Sequence, residues 1–461
     1  MSTFVHDIEE WAERQFEGCV LGDKRRPQRL VKIAAAAASN PSASFPTQNK
    51  DWGDLKAAYR LFGRPEVTMQ SVGACHWNQV RKRPAGQYLL ICDTTEVSFG
   101  YQTKIKGLSR IANGKRDGFL LHSALMVDTG NHQVVGIAGQ SPLYRKGRPA
   151  KDNVAKRATR EKESRVWADV INQIGKSDDG VQWIYVADRG ADAFETYCHL
   201  LNNQADWVVR ATCSQRYVRV HDQRMSVKES LEEFEEVGSY ELSLQSRPNS
   251  PARIAKLSVC IGKVSVLRPT YFTAFVKGAG RTEISMNVVY VYESDPPPQS
   301  TPISWVLYTS LPVDHFDDAY QIIEHYEQRW LIEEFHKALK TGCRTESRKM
   351  RDAARLEPMV SLMSIVAVRL LQLKSAAKAA PDEPASKSVP GIWLKMLKAA
   401  RPKLSRVHDI SIRDFYRELA KLGGFLGRKS DGEPGWITIW RGYDELHKLV
   451  QGAQLASRKC G

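Results

Sequence analysis

Residues 5–65 alternate apolar and polar positions with the period of amphipathic helices. Three segments show this spacing: IEEWAERQFEGCVLGD, RRPQRLVKIAAAAASN and WGDLKAAYRLFG. Asp23 stands where its side chain can cap the second helix. The first turns of that helix carry Lys24, Arg25, Arg26 and Arg29. These cations form either a solubilising face or a phosphate contact, and we expect the latter because the helix dipole disfavours positive charge at this end.

Residues 87–140 change to apolar runs that are typical of strands. QYLLICDTTEVSFG, GFLLHSALMVD and HQVVGIAG are separated by short turns and predict an antiparallel meander. The basic, polar stretch at 144–160 predicts a loop. EKESRVWADVINQIG then predicts a helix, VQWIYVADRGADAFETYCHLL a strand and a helix, and ADWVVRATC a strand. The order β-β-β-α-β-α-β indicates an α/β core.

The chain after residue 213 has a different pattern. Short alternating runs up to residue 304, separated by Pro, Ser and Gly, predict an all-β insertion. WVLYTS then predicts a strand, FDDAYQIIEHYEQRWLIEEFHKALKTG one long helix, and LEPMVSLMSIVAVRLLQL an apolar helix. SAAKAAPDEPASKSVPG is typical of a linker, and the remainder predicts amphipathic helices.

One face of the predicted long helix carries an unusual set of polar groups. Tyr326, Arg329, Glu333, Lys337 and Lys340 fall on one side at helical spacing. A solvated face with i,i+4 ion pairs is the more common explanation for such a stripe. A lone carboxylate among cations also suits a metal-bound phosphate.

The net charge of the chain favours a face that binds a metal-bound phosphate over a merely solvated face. The 461 residues carry a formal charge of +15, which favours a polyanionic partner, nucleic acid first and an anionic membrane second. We expect no membrane partner, because the longest apolar run predicted from the sequence is shorter than the roughly 18 to 20 residues of a span. The acidic N-terminus lacks the apolar segment of a signal peptide. The eight cysteines form no C-x-x-C pair, which argues against a zinc ribbon or a redox motif and fits a reduced cytoplasm.

Two further carboxylates stand beside apolar strands. Asp93 ends or lies late in YLLICD, and Asp188 ends WIYVAD. Each is compatible with a turn or cap aspartate, most of all Asp188, because a helix follows it. Together with Glu333 they can share two Mg²⁺ ions, since oxygen ligands suit this ion. Two such ions about 3.5 to 4 Å apart support in-line phosphoryl transfer.

The chain resembles bacterial cut-and-paste DDE transposases of the IS4 insertion-sequence family, which carry a YREK signature. The spacing Y-(2)-R-(3)-E-(6)-K is present at positions 326 to 340. Further matching strings occur in order along nearly the whole chain: LGDKRRPQRLV, DTT at 93–95, HSALMVD at 122–128, EKES at 161–164, ADRGAD at 187–192, RWLIEEFHKALKTG at 329–342, MVSLMSIVAVRLLQL at 359–373 and LGGF at 422–425.

The resemblance implies a set of site residues. Asp93, Asp188 and Glu333 correspond to the catalytic metal ligands of an RNase H-like core, with two Mg²⁺ ions per site and Mn²⁺ as a substitute. The residues that correspond to DNA contacts are Arg25, Arg26 and Arg29 in the end-binding cluster, Arg210, the base-stacking Trp305, and Tyr326, Arg329, Lys337 and Lys340. The alternative for Trp305 is an ordinary core tryptophan at a strand start. Gly190 departs from the family, which commonly has Glu at this position.

The resemblance also implies an architecture and an activity. We expect an RNase H-like α/β core interrupted by an all-β insertion and flanked by helical domains. The expected parts are an end-binding domain at 1–69, the core at 70–213 and 305–373, the insertion at 214–304, and a C-terminal dimerisation domain at 374–461. The implied function is DNA transposition by a homodimer acting on transposon end DNA and target DNA in the bacterial cytoplasm, at the nucleoid. The alternatives are a non-catalytic DNA-binding regulator and a general metal-dependent nuclease of RNase H type.

Overall fold

The structure is a computed structural model. It describes residues 5–49, 51–145, 165–212, 216–244, 252–298, 301–379, 381–404, 407, 409–428 and 431–459. The predicted loop at 144–160 and the EKES string therefore lie mostly outside the described residues.

The N-terminal region is helical, as predicted. Its helices are α1 Ile8–Phe16, α2 Arg25–Ser39, α3 Phe45–Gln48, α4 Trp52–Phe62 and α5 Met69–Arg81. Asp23 contributes to the start of α2, because its Oδ1 accepts the Arg25 amide at 2.9 Å. The assigned cap position is Lys24, whose side chain makes no capping bond.

The described strands form one twelve-stranded sheet. They are β1 Gly86–Ser98, β2 Ser109–Ile111, β3 Arg116–Asp128, β4 Val134–Leu143, β5 Val181–Ala187, β6 Asp206–Arg210, β7 Tyr217–Val220, β8 Gln223–Ser226, β9 Glu235–Leu244, β10 Arg253–Leu267, β11 Glu283–Glu293 and β12 Ser304–Thr309. β4, β3 and β1 are antiparallel, which confirms the meander. β5 and β6 join β1 in parallel, across helices α6 Arg165–Ile174 and α7 Phe194–Asn202. This mixed order is that of the predicted RNase H-like core.

The insertion extends the same sheet. β12 pairs antiparallel with β6 on one side and with β11 on the other, and β10, β7 and β8 follow. The insertion is therefore hydrogen-bonded to the core through β12. It also contains two short helices that the pattern did not predict, α8 Val227–Ser230 and α9 Ala274–Gly278.

The predicted long helix is divided, which corrects that prediction. α10 spans Phe316–Glu327, α11 spans Trp330–Lys337, and a π-helical turn spans Ala338–Gly342. π-helical turns are often found at functional sites. The break lies at Gln328 and Arg329, whose backbone angles remain in the right-handed helical region, so the chain direction changes little.

A long apolar helix, α12 Ala353–Ala379, follows. Its part Ala353–Ser375 is long and apolar enough for a membrane span by length and composition, which the sequence-based expectation missed. However, 89% of its most apolar window is buried inside the protein, as expected for a core helix. The first residues of the predicted linker are helical as well, since α12 continues to Ala379. The C-terminal helices are α13 Gly391–Ala400, α14 Ile412–Leu422 and α15 Trp436–Lys459.

Alternation along β1 divides its side chains between two cores. Leu89 and Ile91 belong to the core that contains α11 and α12, whereas Leu90 and Cys92 belong to the core that contains α6 and α7. Successive side chains of a strand point to opposite faces, so one sheet serves two helical layers. The same alternation decides which face each strand carboxylate occupies.

Candidate active site

Strand register brings Asp93 and Asp188 together. β1 and β5 are parallel, and their last aligned pair is Cys92 with Ala187. Asp93 directly follows Cys92 in the chain, and Asp188 directly follows Ala187. Asp93 continues the series Leu89 and Ile91, and Asp188 continues the corresponding series in β5, so both extend the face on which α11 lies. Asp93 lies within β1 rather than at its end, because the strand continues to Ser98.

Glu333 approaches this pair from α11, which packs against β1. Ile332 and Phe335 are buried in the core beneath the helix, and this anchoring turns Glu333 toward the carboxylates. The Glu333 Oε1 accepts a hydrogen bond from Arg329 Nη2 at 2.6 Å. This is one of the i,i+4 ion pairs expected for a solvated stripe, but here it is half-buried beside the aspartates.

Asp93 is the most perturbed of the three carboxylates. Burial raises its pKa to about 6, and the negative charges of Asp188 and Glu333 add to this effect. The Thr94 amide, which donates to Asp93 Oδ1 at 2.7 Å, and the Arg329 charge oppose it. The cluster thus places three acidic groups close enough to repel one another.

The donor chemistry of this cluster fits a hard divalent cation. Carboxylate oxygens suit Mg²⁺, and a bound cation would offset both the burial of the Asp93 charge and its repulsion by Asp188 and Glu333. Among the described residues, no three acidic, imidazole or thiol groups are arranged so that they could hold a metal ion as they stand. Glu333 Oε1 is engaged with Arg329 in this arrangement, and its second carboxylate oxygen makes no contact with that guanidinium within hydrogen-bond distance.

Two histidines beside the cluster were not singled out from the sequence. His336 Nδ1 lies 3.9 Å from Asp93 Oδ2, and its Nε2 is buried without a hydrogen-bond partner among the described residues. Burial, aided by the Lys340 charge, lowers the His336 pKa to about 3, so the ring is neutral. In the sequence, the three-residue spacing between Glu333 and His336 was a signal that could have pointed to this histidine. His122 hydrogen-bonds Thr94 Oγ1 at 2.8 Å, and only the β1–β3 register brings these two together.

An aromatic and cationic group borders the cluster. The Trp305 and Tyr326 rings have centroids 6.0 Å apart, and the Arg329 guanidinium lies 6.0 Å from the Tyr326 ring. Trp305 is partly exposed, unlike the buried tryptophans of the core. Tyr326 is only 7% exposed, so it lies beneath the polar face rather than on it, which corrects the expected single stripe. Arg210 Nη2 donates to the Ser304 carbonyl at 3.1 Å, next to Trp305.

The two lysines differ in exposure. Lys337 is exposed at the end of α11, whereas Lys340 is half-buried in the π-helical turn. Lys340 is close enough to His336 for its charge to affect that ring. Lys340 therefore lies near the ring that faces Asp93.

The arginines of α2 are engaged within the N-terminal region. Arg26 pairs with Glu66 at 3.1 Å, and Arg29 pairs with Asp54. Arg25 pairs with Asp23, but its side chain is 83% exposed. Only Arg25 of the three thus projects largely into solvent.

Gly190 lies directly beside Asp188. Its amide donates to Asp188 Oδ1 at 2.8 Å, and an added Cβ would lie 2.9 Å from the same oxygen. A side chain at this position therefore requires a small shift of the Asp188 carboxylate. Trp167 is the next neighbour, at 3.5 Å from such a Cβ.

Three protein-family models match the chain in succession. The transposase DNA-binding family matches residues 8–67, the transposase DDE domain matches 84–369, and the transposase Tn5 dimerisation domain matches 384–460. The second match alone covers more than half of the 461 residues.

The chain belongs to the DDE transposase family. The three matches together fit a Tn5-like transposase of the IS4 family, which confirms the resemblance seen in the sequence. The transposase is a DNA-cleaving and strand-transferring enzyme, and DDE domains are generally dependent on divalent metal ions. Its matched regions support DNA and a second copy of the chain as partners. The YREK signature and the individual site residues stay predictions.

Proposed function

We propose that the protein is a cut-and-paste DNA transposase whose catalytic residues are Asp93, Asp188 and Glu333. The observation that carries this proposal is the parallel register of β1 and β5, which ends at Cys92 and Ala187 and leads both chains into an aspartate. Glu333 faces the same site from α11. These three carboxylates would hold two Mg²⁺ ions, which when bound would activate an attacking oxygen and stabilise a leaving oxygen in phosphoryl transfer.

The proposed reaction has four phosphoryl transfers at each transposon end. Water first nicks one strand, and the freed 3′-hydroxyl attacks the opposite strand to form a hairpin. Hydrolysis opens the hairpin, and the 3′-hydroxyl finally attacks target DNA. One site can perform all four transfers, because each is an in-line displacement at phosphorus.

The cations beside the carboxylates would position the DNA. Arg329 now neutralises Glu333 at 2.6 Å, and a DNA phosphate offers the same guanidinium an alternative anion. Lys340 and the exposed Lys337 would contact the backbone next to this phosphate. Arg210, beside Trp305, would approach the strand from the sheet edge. The buried Tyr326 supports this surface through its ring contacts with Trp305 and Arg329.

We further propose a division of labour along the chain. Residues 1–69 bind the transposon end, with Arg25 as the most available arginine of its cluster. Residues 70–213 and 305–373 form the catalytic core, and residues 374–461 form the dimer contact. The insertion at 214–304 stabilises the sheet edge through β12. The enzyme would act in the bacterial cytoplasm on the nucleoid.

The function is tested with Asp188→Ala and purified full-length protein. We expect the variant to bind the native end DNA as the wild type does and to lose Mg²⁺-dependent cleavage, with a fall of at least about 10²-fold because a charged catalytic group is removed. Asp179→Ala, at the exposed opposite end of β5, is the matched control and should cleave normally. Retained cleavage by Asp188→Ala contradicts the assignment. Absence of cleavage by the wild type favours the non-catalytic regulator instead.

Trp305→Ala tests the proposed hairpin step. Unstacking a base costs a few kcal/mol, which an aromatic face partly offsets, so we expect nicking to persist while hairpin formation falls. Trp305→Phe retains an aromatic face and should restore most of the hairpin. Both products are resolved on a denaturing gel over time. Equal loss of nicking and hairpin formation in Trp305→Ala would assign this tryptophan to the core alone.

A further inference from the structure

Two cysteines far apart in the sequence lie against each other in the N-terminal region. Cys19 is in the loop between α1 and α2, and its thiol donates to the Val72 carbonyl of α5 at 3.5 Å. Cys75 is three residues beyond Val72 on the same face of α5. A Cβ built at Gly18 would lie 3.1 Å from Cys75 Sγ, which shows how closely the loop covers this sulfur.

The two thiols differ in exposure and in hydrogen bonding. Cys75 is partly exposed, and its sulfur accepts from Gln79 Nε2 at 3.4 Å. The Cys19 thiol first, and to a smaller degree the Gly18 amide and Gln79, lower the pKa of Cys75, whereas burial opposes this effect. Cys19 is only 5% exposed, and the contact with Cys75 followed by burial raises its pKa. The accessible Cys75, whose sulfur accepts from Gln79, is the nucleophile of the pair, and the buried Cys19 is the resolving thiol.

We propose that Cys19 and Cys75 form a reversible disulfide when the protein meets a hydroperoxide. The Cys75 thiolate attacks one peroxide oxygen, the O–O bond breaks, hydroxide or alkoxide leaves, and Cys75 becomes a sulfenic acid. The Cys19 sulfur then attacks the Cys75 sulfur, its proton passes to the departing oxygen, the S–O bond breaks, and water leaves. The two thiols together lose two electrons, and the peroxide gains these two electrons. A small dithiol reductant reverses the bond by exchange.

The site is separate from the catalytic carboxylates. The disulfide would close a chain loop that contains α2, α3 and α4, including Arg25. Closing such a loop removes conformational freedom from the unfolded chain and therefore favours the folded N-terminal region. Oxidation would then stabilise the part of the molecule that precedes the sheet.

The experiment treats reduced full-length protein with hydrogen peroxide and maps its peptides without reduction. We expect one cross-linked species joining the peptides of Cys19 and Cys75, lighter by two hydrogen atoms, that disappears with dithiothreitol. In Cys19→Ser, Cys75 should accumulate as a sulfenic acid that dimedone traps. In Cys75→Ser, Cys19 should stay unmodified, as should the fully buried Cys343 in every variant.

Three results would overturn the proposal. The first is a wild-type peptide map without the Cys19–Cys75 species, which decides the matter even where a variant fails to fold. The second is dimedone labelling of Cys19 in Cys75→Ser at the level seen for Cys75 in Cys19→Ser. The third is the same unfolding midpoint for reduced and peroxide-oxidised wild type, measured beside peroxide-treated Cys75→Ser as the control.

Discussion

His76 joins three elements through its two ring nitrogens. From α5, its Nδ1 hydrogen-bonds Gln15 Oε1 on α1, and its Nε2 accepts the Ile137 amide of β4 at 3.1 Å. Because Nε2 accepts, the ring is neutral and Nδ1 donates. Complete burial, followed by the charge of Arg83, lowers its pKa from 6.5 to about 3. A single side chain thus couples the N-terminal helices to the core sheet only while it is uncharged.

His76→Gln should therefore reduce the acid sensitivity of the fold. As the pH falls below 6.5, His76 binds a proton in the unfolded chain, whereas in the folded protein it stays neutral until about pH 3. The free energy of unfolding therefore declines across this interval. One such proton corresponds to about 1.4 kcal/mol per pH unit. Urea unfolding between pH 7.5 and 4.5 should show a shallower decline for His76→Gln than for wild type. Parallel declines would contradict the assignment of this sensitivity to His76.

Helices α14 and α15 approach each other through glycines. A Cβ at Gly442 of α15 would overlap the Leu419 carbonyl oxygen of α14, and one at Gly423 would overlap the Thr438 carbonyl oxygen. Only residues without a Cβ permit this backbone distance. The pair lies inside the region that matches the dimerisation domain, so its geometry sets the shape of that surface.

Gly442→Ala should force α14 and α15 apart. We expect a loss of about 1 to 3 kcal/mol in the free energy of unfolding, as for other overpacked interiors, and weaker dimerisation on end DNA. Gly452→Ala is the matched control, because nothing lies within 4 Å of its added Cβ on the same helix. That control should be neutral or stabilising by up to about 1 kcal/mol. Thermal unfolding and light scattering of the DNA complex measure both effects, and equal behaviour of the two variants would refute the close-contact role.

At the scale of the whole molecule, Arg369 connects the two ends of the chain. It lies in the apolar helix α12, where its Nη1 donates to the Val5 carbonyl at 2.7 Å and its Nη2 donates to Tyr443 Oη at 2.9 Å. Its guanidinium also lies 5.1 Å from the Trp11 ring. Arg369, which interrupts the apolar sequence of α12, is thus the residue through which the N-terminal segment and α15 contact the core.

Arg369→Leu should loosen this junction. The substitution places an apolar residue in α12 and removes the guanidinium that donates to the Val5 carbonyl and to the Tyr443 hydroxyl. We expect a loss of about 3 kcal/mol in the free energy of unfolding, measured with urea. Arg413→Leu, which changes an arginine whose side chain is 49% exposed, should cost less than about 1 kcal/mol. Similar losses for the two variants would show that Arg369 is not a structural junction.

Much of the fold follows from local patterns in the sequence. The apolar runs in YLLICD and WIYVAD predict strands, each of which leads into an aspartate. Helical spacing predicts α1, α2, α4 and α11. These features depend on neighbours a few residues away, so a single sequence contains them. The break at Gln328 and Arg329 was missed, and so was the extension of α12 into the predicted linker, although its Ala-rich residues favour a helix.

The sequence by itself determined which residues have the chemistry of a transposase, in what order, and on which kind of element. Only the tertiary structure decided that the β1–β5 register brings Asp93 and Asp188 together, that Tyr326 is buried, and that His336 faces Asp93. The tertiary structure also brings Cys19 and Cys75 together, although they do not form a C-x-x-C motif in the sequence. The physical reason is range: propensity and periodicity act along a few residues, whereas burial, ion pairing and thiol contact arise between segments that the folded sheet and helices bring together.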